Sequence, residues 1–130
     1  MKKLTIRWLR LVNEIGQTCA RCSKTGDSVE TAFNKLKKSM SELDIEVELI
    51  KEKLEFPIFE KDPLQSNRIW IGGKPLEEWI GAIVSKSQCC EVCGESDCRT
   101  ISIDQTSFEA IPANLIIRAG LLAAASILID

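Results

Sequence analysis

Histidine is absent from this 130-residue chain. That excludes a histidine-based catalytic triad and leaves metal coordination to thiolates and carboxylates. A basic stripe is missing as well: 17 lysines and arginines stand against 19 aspartates and glutamates, for a net charge of −2. Nucleic-acid binders carry a clustered positive footprint, so no nucleic-acid partner is expected. No phosphate loop appears, because Gly72-Gly73 lacks the required spacing and the following lysine–serine pair. No internal repeat or low-complexity tract appears either. An unbroken apolar run of membrane length is also lacking. The last segment, "IPANLIIRAGLLAAASILID", comes nearest, but Arg118 sits at its centre and Asn114 lies one helical turn before it. A charge at mid-membrane costs roughly 2.5–3.5 kcal/mol even on the mild insertion scale. The segment reads as a buried helix, or one that pairs with a second copy into a homodimer, and no membrane contact is expected. The opening "MKKLTIRWLRLV" fails as a signal peptide, since Arg7 and Arg10 interrupt it and no small-residue cleavage site follows. The expected location is cytoplasmic, where thiols stay reduced.

What the chain does have is six cysteines, in two groups: Cys19 and Cys22, then Cys89, Cys90, Cys93 and Cys98. Apolar residues make up 45% and charged residues 28%, the balance of a soluble globular protein. One domain over residues 1–130 can bury its own core without cross-links, which weakens a reading of the cysteines as structural staples.

Periodicity outlines an α/β chain. Leu4, Ile6 and Trp8 alternate with Thr5 and Arg7 as in a strand. Val29, Ala32, Phe33, Leu36, Met40 and Leu43 recur at helical spacing, and Asp27 with Glu30 has the form of a capping box, which sets a helix start there. Ile45, Val47 and Leu49 alternate with Glu46 and Glu48, predicting a second strand. "EFPIFEKDPLQSN" reads as a loop. "RIWI" reads as a short strand closed by Gly72-Gly73, and "KPLEEWIG" as a short helix with Pro75 at its first position. A cysteine-rich loop is expected over 85–98, then a hairpin from "RTISID" and "SFEAI", then a helix opened by Pro112. The first strand–helix–strand unit implies a parallel pair. A mixed sheet with helices on both faces and the hairpin at its antiparallel edge is the economical assembly.

The first cysteine pair has the spacing of an exchanging dithiol. Two intervening residues let the sulfurs meet, and only a thiolate attacks. Cys19 follows a turn and precedes a helix, where free N–H groups and the helix dipole favour an anion. Arg21 and Lys24 add positive charge that stabilises the thiolate. Cys19 is assigned as the attacking thiol and Cys22 as the resolving one.

On these residues the chain resembles thioredoxin-like proteins. "TCARCSKTGDSVETAFNKL" is similar to the opening of the small thioredoxin-like proteins of bacteria and archaea, and "SNRIWIGGKPLEEWIG" to their central strand and turn. The resemblance covers residues 4–76. It implies a thioredoxin-like fold and paired redox thiols at Cys19 and Cys22. The whole chain, second cysteine loop included, resembles an uncharacterised family of small proteins.

The second cluster admits two chemistries. Cys90, Cys93 and Cys98 could hold zinc, with Cys89 or one of the first pair as the fourth ligand. Alternatively, the first pair passes its disulfide to two of these four thiols. A soft ion such as Cu(I) also suits thiolates. The leading expectation is thiol–disulfide exchange with a protein or small-molecule disulfide, which requires no cofactor. The alternative is a thiolate metal-binding protein, either built around structural zinc or handling soft metals.

Overall fold

A computed structural model describes residues 2–11, 20–54, 67–88 and 97–129; the side chains of 11, 20–22, 86–88, 97–98 and 129 are not described. The first strand, β1 (Lys2–Leu11), alternates as expected. Leu4, Ile6 and Trp8 are buried while Thr5 and Arg7 point to the other face. It pairs in parallel with β2 (Ile45–Leu54) along its whole length, from Lys2 opposite Ile45 to Leu11 opposite Leu54. Helix α1 (Ala20–Ser41) makes the crossover between them. Strand β3 (Arg68–Ile71) lies antiparallel on the other side of β1, and the two-residue β4 (Lys74–Pro75) folds back on β3. The turn between β3 and β4 is Gly72-Gly73, with φ of 61° and 82°. Two consecutive left-handed residues match the twist of a tight hairpin, and glycine adopts them without a Cβ penalty. The resulting sheet has the order β2-β1-β3-β4.

The short helix α2 (Leu76–Ile80) follows at once, capped by Pro75 and stopped by the left-handed Gly81. The structure thus places Pro75 just before the helix rather than at its first position. Its φ of −56° suits either place, but its N-terminal flank is still bonded into β4. A second sheet, ordered β5-β6-β7, contains β5 (Ile83–Gln88), β6 (Asp97–Ile103) and β7 (Thr106–Phe108), all antiparallel. The predicted hairpin is β6–β7, turning at Asp104 and Gln105 with φ of 50° and 67°. It belongs to this second sheet and not to an edge of the first. The closing helix is α3 (Ala113–Ile129), and no described helix is long and apolar enough to cross a membrane.

The main core forms between the first sheet and the two long helices. Val29, Ala32, Leu36 and Met40 of α1 are each at most 1% exposed, and they meet Leu4, Ile6, Ile45, Ile69 and Ile71 of the sheet. Burying each leucine or isoleucine contributes about 1.5–3 kcal/mol. Helix α3 adds Leu115, Ile116, Ala119, Ala123 and Ala124. Gly120 lets it approach α1 closely, since a Cβ there would lie 2.5 Å from Leu36 Cδ1. Both long helices lie on the same face: a Cβ built on Gly72 would meet Leu4 and Ala123 together. Helices on both faces are therefore not what the described residues form. Among the described residues the opposite face carries Thr5, Arg7, Glu48, Glu52 and Trp70, a polar ladder; residues 55–66, between β2 and β3, lie outside the described residues.

Two further expectations change. Leu43 is 47% exposed, because α1 ends at Ser41 and the turn carries Leu43 off the apolar face. Asp27–Glu30 is not a capping box, since α1 begins at Ala20 and Asp27 lies two turns inside it. The adjacent Gly26, which looks like a helix breaker, serves packing instead. A Cβ there would stand 2.6 Å from the Trp8 ring.

Candidate functional site

Helix α1 starts at the residue after Cys19, and its first turn contains Cys22. The first four N–H groups of any helix lack partners within it, and together with the dipole they favour negative charge. The first turn carries no acidic side chain to cancel that preference. Lys24 is exposed on the second turn, while the Arg21 side chain and all of Cys19 lie outside the described residues.

Beneath this turn runs a buried chain of hydrogen bonds. Trp8 Nε1 donates to Asn67 Oδ1 at 2.9 Å, and Asn67 Nδ2 donates to Thr25 Oγ1 at 2.9 Å. Thr25 Oγ1 also accepts from the Ile111 backbone N–H at 3.0 Å. Thr25 is fully buried and Asn67 is 4% exposed. Asn67 has a φ of 64°, a left-handed conformation that asparagine tolerates better than most residues. Buried polar groups without partners would be costly, and this network satisfies them mutually. Neither Thr25 nor Asn67 was expected from the sequence as part of the site. Thr25 could have been noticed, because it stands four residues before Val29 on the apolar face of α1.

The second cysteine cluster sits at the end of the β5–β6 ladder. Residues 85–88 and 97–98, expected as loop, are strand: Gln88 stands opposite Asp97 and Ser87 opposite Cys98. Antiparallel pairing holds opposite Cα atoms about 5 Å apart, so the segment carrying Cys89, Cys90 and Cys93 leaves the sheet after Gln88 and returns opposite it at Asp97, next to Cys98 in β6. Cys89, Cys90 and Cys93 lie outside the described residues, as does the Cys98 side chain. Among the described residues no three thiol or carboxylate groups gather as metal ligands, but none of the six thiols is among them. Behind this sheet, Arg99 donates to Glu77 of α2 in an ion pair whose side chains are 7% and 11% exposed. This pair was not legible from either segment alone.

A cleft of about 490 Å³ opens on the polar face of the main sheet, lined by Lys3, Thr5, Arg7, Trp70, Gly72 and Gly73. Its cations are engaged. Arg7 holds Glu52 through a side-chain hydrogen bond that keeps the carboxyl below its ordinary value and raises the guanidinium further, and Lys3 stands 3.5 Å from Glu48.

A family profile described as a domain of unknown function (DUF2703) matches residues 4–120. An uncharacterized protein of Archaeoglobus fulgidus is 44% identical over 114 residues, covering 88% of this chain and 82% of its own. No solved structure matches.

Proposed function

This chain belongs to the DUF2703 family, and we propose that its members of this form carry out thiol–disulfide exchange through the Cys19–Cys22 dithiol. The observation that carries the reading is the position of the pair: Cys19 immediately before α1 and Cys22 within its first turn. The parallel β1–α1–β2 unit supports the thioredoxin-like fold that the resemblance implies, and β3 with its glycine turn stands where a central strand and turn are expected.

The chemistry balances without a cofactor. The Cys19 thiolate attacks one sulfur of a substrate disulfide, forming a mixed disulfide and releasing one substrate thiolate. Cys22 gives up its proton and attacks the Cys19 sulfur. The Cys19–Cys22 bond forms and the second substrate thiolate leaves. Two electrons pass from the dithiol to the substrate, and the reverse sequence oxidises a substrate dithiol. A cytoplasmic setting, which keeps the dithiol reduced, fits the first direction.

A second reading has its own support. The β5–β6 register sets Gln88, next to Cys89, opposite Asp97, next to Cys98, which is compatible with a bridge between two of the cluster's thiols or with a thiolate metal site. In the redox reading those thiols receive the disulfide from the first pair; in the other, Cys90, Cys93 and Cys98 bind zinc or a soft metal.

The deciding experiment uses protein purified anaerobically and reduced. Thiols are alkylated and mapped before and after an added disulfide, alongside bound metal. Reversible closure of Cys19–Cys22 without metal supports exchange. About one zinc per chain with the second-cluster thiols masked supports the metal reading for that cluster, and failure of Cys19–Cys22 to close overturns the exchange reading.

A further inference from the structure

The Thr25 hydroxyl joins parts of the chain that are far apart in sequence. Its oxygen accepts from Asn67, which precedes β3 of the main sheet, and from Ile111, which lies three residues beyond β7 of the second. The direction of these bonds is fixed. The Trp8 indole nitrogen only donates, so Asn67 must turn its oxygen to Trp8 and its amide to Thr25. A hydroxyl offers two acceptor positions and one proton. Both acceptor positions of Thr25 are taken, so its proton is left to donate. A threonine inside a helix reaches the carbonyls three and four residues back, which here belong to Cys22 and Arg21.

We propose that Thr25, oriented by Asn67, is a positioning residue for the Cys19–Cys22 pair: it registers the start of α1, which carries Cys22, against Asn67 and the Ile111 backbone and thereby sets how readily the pair closes. The proposal rests on the dithiol reading above and adds the device that tunes it. Disulfide closure demands Cα atoms roughly 4.4–6.8 Å apart with a restricted torsion, so a turn held from beneath closes differently from one that is free. Gly26 supports the arrangement, because its missing side chain lets Trp8 reach under the helix to Asn67.

The test equilibrates the full chain with glutathione redox buffers and reads the oxidised fraction of the Cys19–Cys22 peptide by alkylation and mass spectrometry. The thiolate pKa of Cys19 is followed in parallel by its alkylation rate against pH. Thr25→Val, which keeps the shape and removes the hydroxyl, is expected to shift the closure constant about tenfold, or about 30 mV. Thr25→Ser, which keeps the hydroxyl, should stay within twofold of wild type. Asn67→Gly retains access to the left-handed backbone and removes the amide, so it serves as the second variant should Thr25→Val fail to fold, and it should shift the constant in the same direction. Folded Thr25→Val and Asn67→Gly proteins with wild-type closure constants and Cys19 pKa, even at a lower melting temperature, would overturn the positioning role and leave the dithiol reading intact. A wild-type protein in which Cys19–Cys22 does not close at any buffer ratio would overturn both.

Discussion

The two cysteine groups are supported in different ways. The first stands at the head of a 22-residue helix, whose second turn is held through Thr25 by Asn67, itself bonded to Trp8 of β1, and by the Ile111 backbone N–H. The second stands at the end of a two-strand ladder, fastened to the rest of the molecule behind by the buried Glu77–Arg99 pair. Reacting groups work best on elements whose geometry is held by a supporting shell. That contrast favours the first pair as the attacking site and the second as the group that receives or regulates.

Substitutions can break this contrast. The largest effect is expected from Cys19→Ser, which should reduce exchange to the level of the uncatalysed reaction in an insulin- or glutathione-disulfide reduction assay. Cys22→Ser should instead trap a mixed disulfide that mass spectrometry detects. Glu77→Ala removes the carboxylate that faces the buried Arg99 guanidinium, and breaking such a pair costs about 3–5 kcal/mol. Denaturant titration should show that loss. Alkylation mapping of the folded fraction should show altered reactivity at Cys98 and its neighbours, with Cys19 unchanged.

Gly26→Ala should do the reverse. Its Cβ would press on the Trp8 ring, an overpacking cost of roughly 1–3 kcal/mol, offset by about 1 kcal/mol of helix propensity. The net loss should be accompanied by a changed Cys19 alkylation rate while the second cluster keeps its own. The smallest effect concerns the exposed Arg7–Glu52 pair on the polar face of the main sheet. Glu52 has a lowered pKa in the folded chain, so the stability it adds is present above the ordinary carboxylate value and is lost as pH falls through the lowered one. Because the pair is exposed, the difference between wild type and Glu52→Gln should be small in urea titrations at neutral pH, should vanish in acid, and should weaken with salt.

Local pattern carried much of the fold into the sequence. Leu4, Ile6 and Trp8 announce β1, Val29 through Met40 announce the buried face of α1, and "RIWI" with two glycines announces β3 and its turn. What escaped was decided by distant partners. Gly26 and Asp27 look like the start of a helix until Trp8, eighteen residues earlier, is seen to need the space. Ser85 to Gln88 are polar and resemble loop, but they become strand because β6 offers a ladder. The cysteine spacing itself was visible, whereas the Thr25–Asn67 support spans 42 residues and has no local signature.

The parallel course of α1 and α3 has an electrostatic consequence. Thr25 meets Ile111 at the start of both helices, and Lys2 Nζ reaches the Ile127 carbonyl near the end of α3, on the side where α1 also finishes. Side-by-side helices pointing the same way repel one another's dipoles, a cost that an antiparallel pair avoids. In return, two positive helix ends face the same corner of a protein whose formal charge is −2. The acidic total therefore coexists with two helix N-termini at one end of the molecule, where Lys24 of α1 is also exposed.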